Sequence, residues 1–429
     1  MAKNIILLLF RRSLGALISI LATTTIIKNL SVEDYGIYSI FLNIVSLAST
    51  FTTLGIDAAT GYVLQNKKYK REDALVNTFS LGAIISVISF FIFYGIFYNL
   101  HMSDFNIIPQ DIKMFMVVSS VCMLYANILY SILIGNMSFK SYSFFTIIPN
   151  VSLLIALFIT TRFFHLSLKE TAFYFMMGYI LTVVSLSIYL ILKYKILKNL
   201  YSFKKEISLY ILRYGFMSYL SNVITFLNYR VNIFIIGYYL GSKDVGFYST
   251  CLVVIDFIWL IPSTMASITY PMFSDPNRRD LRKQLIPVIT RSILLLTTLA
   301  FCGFYLLGDF FIPLLFGKEF LVIKSILLIL APGIILFGAG KIITADFISQ
   351  GKPKVNIYLN GLALLITVVV NFVLIPHFGL KGAAMASSIS FSCVFISSLI
   401  IYCKMTHTRI LDYIVPNISD FKMILKARN

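Results

Sequence analysis

Long apolar stretches alternate with short polar turns along most of the chain. Ser80 to Tyr98, Met114 to Ile134, Ala172 to Leu192 and Leu359 to Ile375 each approach or reach the roughly 20 residues that cross a bilayer core as helix. Lipid offers the backbone no hydrogen-bond partner, so such stretches are expected to be helices. Turn signals and charge clusters divide the chain into about twelve spans. They fall near 9-30, 36-63, 74-98, 111-136, 142-162, 170-192, 208-239, 245-271, 285-308, 320-347, 355-376 and 380-403. The pattern therefore predicts an all-α integral membrane protein. Ala2 to Leu30 is longer than the apolar region of a cleavable signal and carries Arg11 and Arg12 near its middle, so it is expected to remain as the first span.

Polar residues recur at fixed places in this pattern. Asp34, Gly36, Tyr38 and Ser39 return as Asp244, Gly246, Tyr248 and Ser249, in VEDYGIYS and SKDVGFYS, at a constant offset of 210. Each copy opens a span, where the aspartate can cap the new helix and the glycine suits a close backbone approach. An even number of spans between copies predicts two six-helix lobes, 1-205 and 206-404, related by a pseudo-two-fold axis along the membrane normal, with a cavity between them. Residues 405-429 form a tail, and Ile410 to Val415 is too short to span and suits the interface.

Following the repeats, Asn43, Ser46, Thr50, Thr53, Asp57 and Thr60 make a polar stripe at helical spacing on the second span. Ser249, Asp256, Ser263, Ser267 and Tyr270 make one on the eighth. Each stripe carries a carboxylate. Interhelical hydrogen bonding accounts for the hydroxyls as well as cavity lining does; for the carboxylates, cavity lining is the better account.

Composition agrees with the pattern. Of 429 residues, 59% are hydrophobic and 13% charged, and the mean hydropathy is +0.87, well above that of a soluble domain. The net charge of +18 collects in alternate loops: Lys67, Lys68, Lys70 and Arg71; Lys193, Lys195, Lys198, Lys204 and Lys205; Arg278, Arg279, Arg282 and Lys283; Lys352 and Lys354. The remaining loops hold isolated cations, so the positive-inside rule places both termini in the cytoplasm. Nucleic-acid binding would need a soluble basic face and is set aside. The five cysteines and four histidines are scattered, which suggests neither a disulfide framework nor a metal site, and no glycine-rich phosphate loop suggests a nucleotide cofactor.

Charges within the spans carry the chemistry. Ser218, Asn222, Thr225, Tyr229 and Asn232 form a polar face on the seventh span, flanked by Arg230. An arginine at that depth needs water, a carboxylate or an anionic ligand. Arg12, Arg213 and Lys341 add positive charge, with snorkelling to the headgroups as their competing explanation, and Arg11 and Arg291 fit snorkelling better. Lys341 and Asp346 share a helix but stand too far round it for an ideal pair, and Asn356, Asn360, Thr367 and Asn371 give the eleventh span a stripe of its own. Fixed cations among hydroxyls and amides suit a ligand with a phosphate or pyrophosphate at one end and sugars beyond.

The segments EDYGIYS (33-39), LGIDAATGYV (54-63), RYGFMSYLSNVITFLNYRVNIFIIGYYLG (213-241), KDVGFYS (243-249), FGKEF (316-320), SQGKPK (349-354) and NFVLIPHFGLKGAAMASSIS (371-390) share order and spacing with one family. Together they resemble the polysaccharide-transport family of the multidrug/oligosaccharidyl-lipid/polysaccharide exporter superfamily, in particular the Wzx-type O-antigen and capsule repeat-unit flippases. The resemblance implies a twelve-helix, two-lobe, alternating-access transporter in a bacterial inner membrane, moving undecaprenyl-pyrophosphate-linked repeat units outward. A polysaccharide polymerase and a chain-length regulator are the implied protein partners. Arg230 and Asp57 lie in matching segments, whereas Lys341 and Asp256 are assigned by position. Relatives often carry an aspartate where this chain has Asn232, leaving Arg230 either freer for an anion or paired elsewhere. Two alternatives stay open: a drug or cation antiporter of the same superfamily, against which Arg230 argues, and a membrane enzyme acting on lipid-linked sugars, which would need a reactive outer loop.

Overall fold

The computed structural model describes the backbone of residues 2-65, 69-99, 107-196, 203-273 and 279-415. Helices α1 (Ala2–Asn29), α2 (Val32–Thr52), α3 (Ile56–Gln65), α4 (Arg71–Asn99), α5 (Gln110–Gly135), α6 (Phe139–Phe163) and α7 (Leu168–Tyr194) come first. They are followed by α8 (Lys205–Leu240), α9 (Ser242–Ile258), α10 (Leu260–Phe273), α11 (Arg279–Leu306), α12 (Gly308–Leu315), α13 (Ile323–Ser349), α14 (Pro353–Thr406) and α15 (Leu411–Ile414). Among the described residues, nine helices are long and apolar enough to cross a membrane, or ten when the pair α9 and α10, bent by 49°, counts as one span. Helix α14 holds 54 residues, about 80 Å at helical rise, which is far more than one bilayer core. It turns at Gly379, whose φ of 57° and ψ of −137° suit only glycine, so it contains the two spans expected at 355-376 and 380-403.

The second and eighth spans expected from the sequence are each broken. The second interrupts at Thr53 to Gly55, where Leu54 and Gly55 take φ of 48° and 75°. The eighth breaks at Trp259. Ile84, Val87, Ile88 and Phe91 on α4, Leu181, Val184 and Ile188 on α7, and Leu362, Leu365, Val369 and Phe372 on α14 are all exposed at helical spacing. Stripes of that length would associate or aggregate in water, so they mark the surface that lipid covers. The protein is a multi-pass membrane protein.

The chain forms two compact units, Met1–Phe226 with Gly241–Gly246, and Leu227–Leu240 with Phe247–Asn429. In the first unit, the start of α8 joins a core in which Ile207 and Ile211 pack with Ile56, Ala59, Val63, Leu124 and Ile128. Gly55 and Gly215 meet backbone to backbone there, so a Cβ on either would overlap the other's carbonyl. Tyr62 stacks on Tyr214 at 4.1 Å between ring centres, on the same pair of helices.

The repeated turns meet inside this first unit as well. Gly36 lies against the Ser242 carbonyl, and Gly246 against the Val32 carbonyl. Because Ser242 and Val32 are also 210 apart, the contact is reciprocal: each copy of the repeat offers its glycine to the other copy's first turn. The cap, however, is not the expected aspartate. Ser31 caps α2, its Oγ accepting from the Asp34 N–H at 3.1 Å and donating to the Asp34 carboxylate at 2.8 Å. The helix starts earlier than the spacing suggested, which leaves Asp34 in its first turn, where a carboxylate complements the helix dipole.

In the second unit, Ile286, Ile293, Ile342, Ile343, Phe347 and Phe395 form the core. The short α15 closes one end of it through Tyr413, whose ring meets Tyr402 edge-on at 5.8 Å.

Candidate functional site

The second unit brings together four of the residues singled out in the sequence. Arg230 and Tyr229 come from α8, Asp256 from the last turn of α9, and Lys341 from the middle of α13. Asp256 is electrostatically coupled to both Arg230 and Lys341, and Tyr229 to Arg230 and Asp256. Arg230 and Lys341 are half-buried while Asp256 is exposed. An exposed carboxylate on a membrane span would be costly against lipid.

Lys341 is held in place. Its Nζ donates to Ser263 Oγ at 2.9 Å and lies 4.4 Å from the centre of the Trp259 ring. Trp259, in turn, donates its indole N–H to the Ile334 carbonyl at 2.9 Å. Tyr229, Trp259, Phe337 and Phe391 pack as one aromatic group, with ring centres 5.0 to 6.4 Å apart. Trp259 is a site residue that sequence reasoning passed over. The available signal was that it is the sole tryptophan of the chain and lies between Asp256 and Ser263 on the polar stripe.

Other candidates lie elsewhere. Asp346 is fully buried on α13 and accepts from Tyr402 OH at 2.6 Å, Ser349 Oγ at 2.7 Å and Gln350 Nε2 at 2.7 Å, with Arg282 Nε at 3.8 Å. It anchors a structural network at one end of α13, and Lys341 has a different set of partners. Asp57, in the first turn of α3, is half-buried, and its Oδ1 is buried with no hydrogen-bond partner among the described residues. Arg213 and Asn222 are exposed on the first unit's part of α8. The side chains of Arg12, Ser218 and Tyr270 lie outside the described residues, as do Lys67, Lys68, Lys198, Arg278 and the tail beyond Val415.

The polar stripes divide by role. Thr50, Thr60 and Ser267 donate to carbonyls of their own helices, so these hydroxyls are satisfied locally. Asn232 is buried in a knot joining three helices: its Nδ2 donates to Tyr248 OH at 3.1 Å and Ser387 Oγ at 2.9 Å, and its Oδ1 accepts from Asn371. Asn356 donates across to the Thr344 carbonyl of α13 at 3.0 Å. The eleventh-span stripe is thus largely interhelical glue, and Asn232 is committed to it. Arg230 is the residue of that seventh-span face whose charge acts on a carboxylate, Asp256.

Residues 29–325 match the family described as polysaccharide biosynthesis protein, which is well over half of the chain. The chain belongs to this family. Capsular polysaccharide biosynthesis protein CapF of Staphylococcus aureus is 26% identical over 403 residues, 91% of this chain and 96% of that protein. Probable low-salt glycan biosynthesis flippase Agl15 of Haloferax volcanii is 29% identical over 194 residues, a match that spans 44% of this chain and 41% of that protein. In architecture the chain is similar to an inward-facing multidrug-resistance MATE transporter, with a TM-score of 0.73 at 16% identity, covering 92% and 97% of the two chains. It is equally similar to the lipid II flippase MurJ in an inward closed conformation, with a TM-score of 0.72 at 15% identity, covering 98% and 96%. At those identities the likeness concerns the fold, which is that of multi-helix transporters.

Proposed function

We propose that the protein is a flippase carrying undecaprenyl-pyrophosphate-linked oligosaccharide repeat units across a bacterial inner membrane by alternating access, with both termini cytoplasmic. The observation that carries this reading is that Arg230 and Lys341, from two different helices of one membrane-spanning unit, both act on the same exposed carboxylate, Asp256. The names borne by its relatives, a capsule biosynthesis protein and a glycan flippase, support the cargo class.

The guanidinium of Arg230 offers a planar fork to a phosphate, and the ammonium of Lys341, steadied by Ser263 and the Trp259 ring, offers a point charge to a second one. The polyprenyl tail stays in lipid while the headgroup occupies the hydrated side. Asp57 and Asp256 are the candidates for coupling to an ion gradient, and Arg213 and Arg12 for guiding the anion in from the cytoplasmic side. A drug or cation antiporter on the same fold would place acids and aromatics at the site without excess positive charge. Here two cations face one carboxylate. An enzyme acting on the same lipids is the weaker reading: the Lys341 that contacts Ser263 also lies over the Trp259 ring, a seat that favours the charged ammonium over a free base.

Lipid-linked repeat units should accumulate on the cytoplasmic face of a strain lacking the gene, and their absence would sink the flippase reading. Arg230→Glu, at normal protein level, should abolish surface-glycan assembly; full function would remove Arg230 from the substrate path.

A further inference from the structure

One end of the first unit carries cations that the proposed transport path does not use. Helices α4, α6 and α7 bring Arg71, Lys140 and Lys193 there, with Lys195 just past α7, and all of them are exposed. A chain of contacts ties them to one surface. Asn136, at the end of α5, accepts from Arg71 Nε on its Oδ1 at 2.7 Å. Two residues on, Ser138 Oγ lies 3.4 Å from Tyr194 OH, and Ser141 Oγ lies 2.7 Å from Tyr189 OH, which binds the start of α6 to the last turns of α7. Lys140 stands between these two serines. Lys193 Nζ donates to Tyr189 OH at 2.7 Å and lies 5.0 and 5.4 Å from the centres of the Tyr189 and Tyr194 rings. The rings hold the ammonium in place without removing its charge. Among the described residues, none of these cations has a carboxylate within 4.0 Å, and the buried Asp73 is taken by Lys204 at 2.7 Å.

Next to the cations the surface turns apolar. Leu181, Val184, Ile188 and Leu192 are exposed at helical spacing along α7, and the stripe ends one residue before Lys193. Phe144 is exposed on α6, beside Phe145, whose ring meets Tyr189 at 5.2 Å. Lipid covers that stripe, so the cations at its end stand at the level of the headgroups, where basic residues attract anionic lipid. A soluble anion would use the charge and leave the stripe unused. A phosphodiester carried on fatty chains uses both. We propose that this end of α4 to α7 binds an anionic phospholipid, with Lys193 as the anchor for its phosphate, Arg71, Lys140 and Lys195 around the headgroup, and an acyl chain along Ile188 and Leu192. The inference concerns the lipid around the protein and stands apart from the reading of its cargo.

The test titrates the purified full chain in detergent with phosphatidylglycerol, with phosphatidylcholine of the same chain length and with inorganic phosphate, and reads the retained ligand by native mass spectrometry. The wild-type chain should bind phosphatidylglycerol at least about fivefold more tightly than phosphatidylcholine, and excess phosphate should not displace it. Lys193→Gln and Arg71→Gln should each weaken phosphatidylglycerol about fivefold and leave phosphatidylcholine unchanged. Tyr189→Phe keeps the ring but removes the acceptor of the Lys193 hydrogen, and should fall between wild type and Lys193→Gln. Lys169→Gln, at the opposite end of α7 and 3.6 Å from Asp111, should match wild type. Equal affinity for the two lipids overturns the proposal, as does a wild-type preference kept in both glutamine variants. Full displacement by phosphate would show a free-anion site and overturn the lipid assignment. The substituted cations are exposed, so the variants should keep the wild-type melting temperature; if Lys193→Gln does not, Arg71→Gln and Lys140→Gln decide the outcome.

Discussion

The Lys341 ammonium lies 4.4 Å from the centre of the Trp259 ring, at the break between α9 and α10, with Ser263 taking one of its hydrogens from the next turn. The bend in the eighth span thus shapes a seat for a cation. A cation over an indole is stabilised by about 0.5 to 2 kcal/mol.

Trp259→Leu should leave the protein in the membrane but mobilise Lys341, weakening binding of farnesyl pyrophosphate by several-fold. Trp259→Phe keeps a ring beneath the ammonium and loses the hydrogen bond to the Ile334 carbonyl, which is worth about 1 kcal/mol. It should lower the melting temperature while holding affinity near wild type. Equal affinity in both variants would show that the ring does not position Lys341.

Gly36 and Gly246 each meet the first turn of the other's helix, with no room for a Cβ. Gly36→Leu and Gly246→Leu should each force the N-termini of α2 and α9 apart, at a cost of about 1 to 3 kcal/mol. A cysteine pair placed at Val32 and Ser242 should crosslink in the wild-type background and crosslink less in either variant. Unchanged crosslinking would mean that the helices absorb the side chain without parting.

Asp346 holds the Tyr402, Ser349 and Gln350 donors and stands 3.8 Å from Arg282, which is itself 14% exposed. Truncating one partner of a buried ion pair costs about 3 to 5 kcal/mol, because the other charge is left uncompensated. Asp346→Ala should therefore sharply reduce the amount of folded protein, and transport per surviving molecule should remain near wild type. A well-folded Asp346→Asn protein without transport would instead put the residue on the substrate or ion path.

Gly379 turns α14 with φ of 57° and ψ of −137°. A side chain there costs of the order of 1 to 3 kcal/mol. Gly379→Ala should lower the melting temperature, whereas Gly361→Ala, where an added Cβ meets nothing within 4 Å in a regular stretch of the same helix, should not. Equal effects would place the strain elsewhere.

Much of the architecture was legible because it follows from local constraints. Lipid forces apolar stretches into helices, so composition and periodicity determined the class, and the spacing of polar turns located most spans. The 210-residue repeat was visible as letters, and so was the cation Arg230 on the seventh span. Three-dimensional packing decided the rest. A stripe of asparagines reads the same whether it lines water or ties helices together, and only the partners of Asn232, Asn356 and Asn371 show that it ties helices. Asp346 and Asp256 are both lone carboxylates in apolar helices by sequence. One is buried under three donors, Tyr402 reaching it from 56 positions away, and the other is exposed and feels the charges of Arg230 and Lys341, 26 and 85 positions away in the chain. Sequence spacing fixes which side of a helix a residue occupies, but the neighbouring helix that side meets, and therefore the work its charge does, is a property of the folded chain.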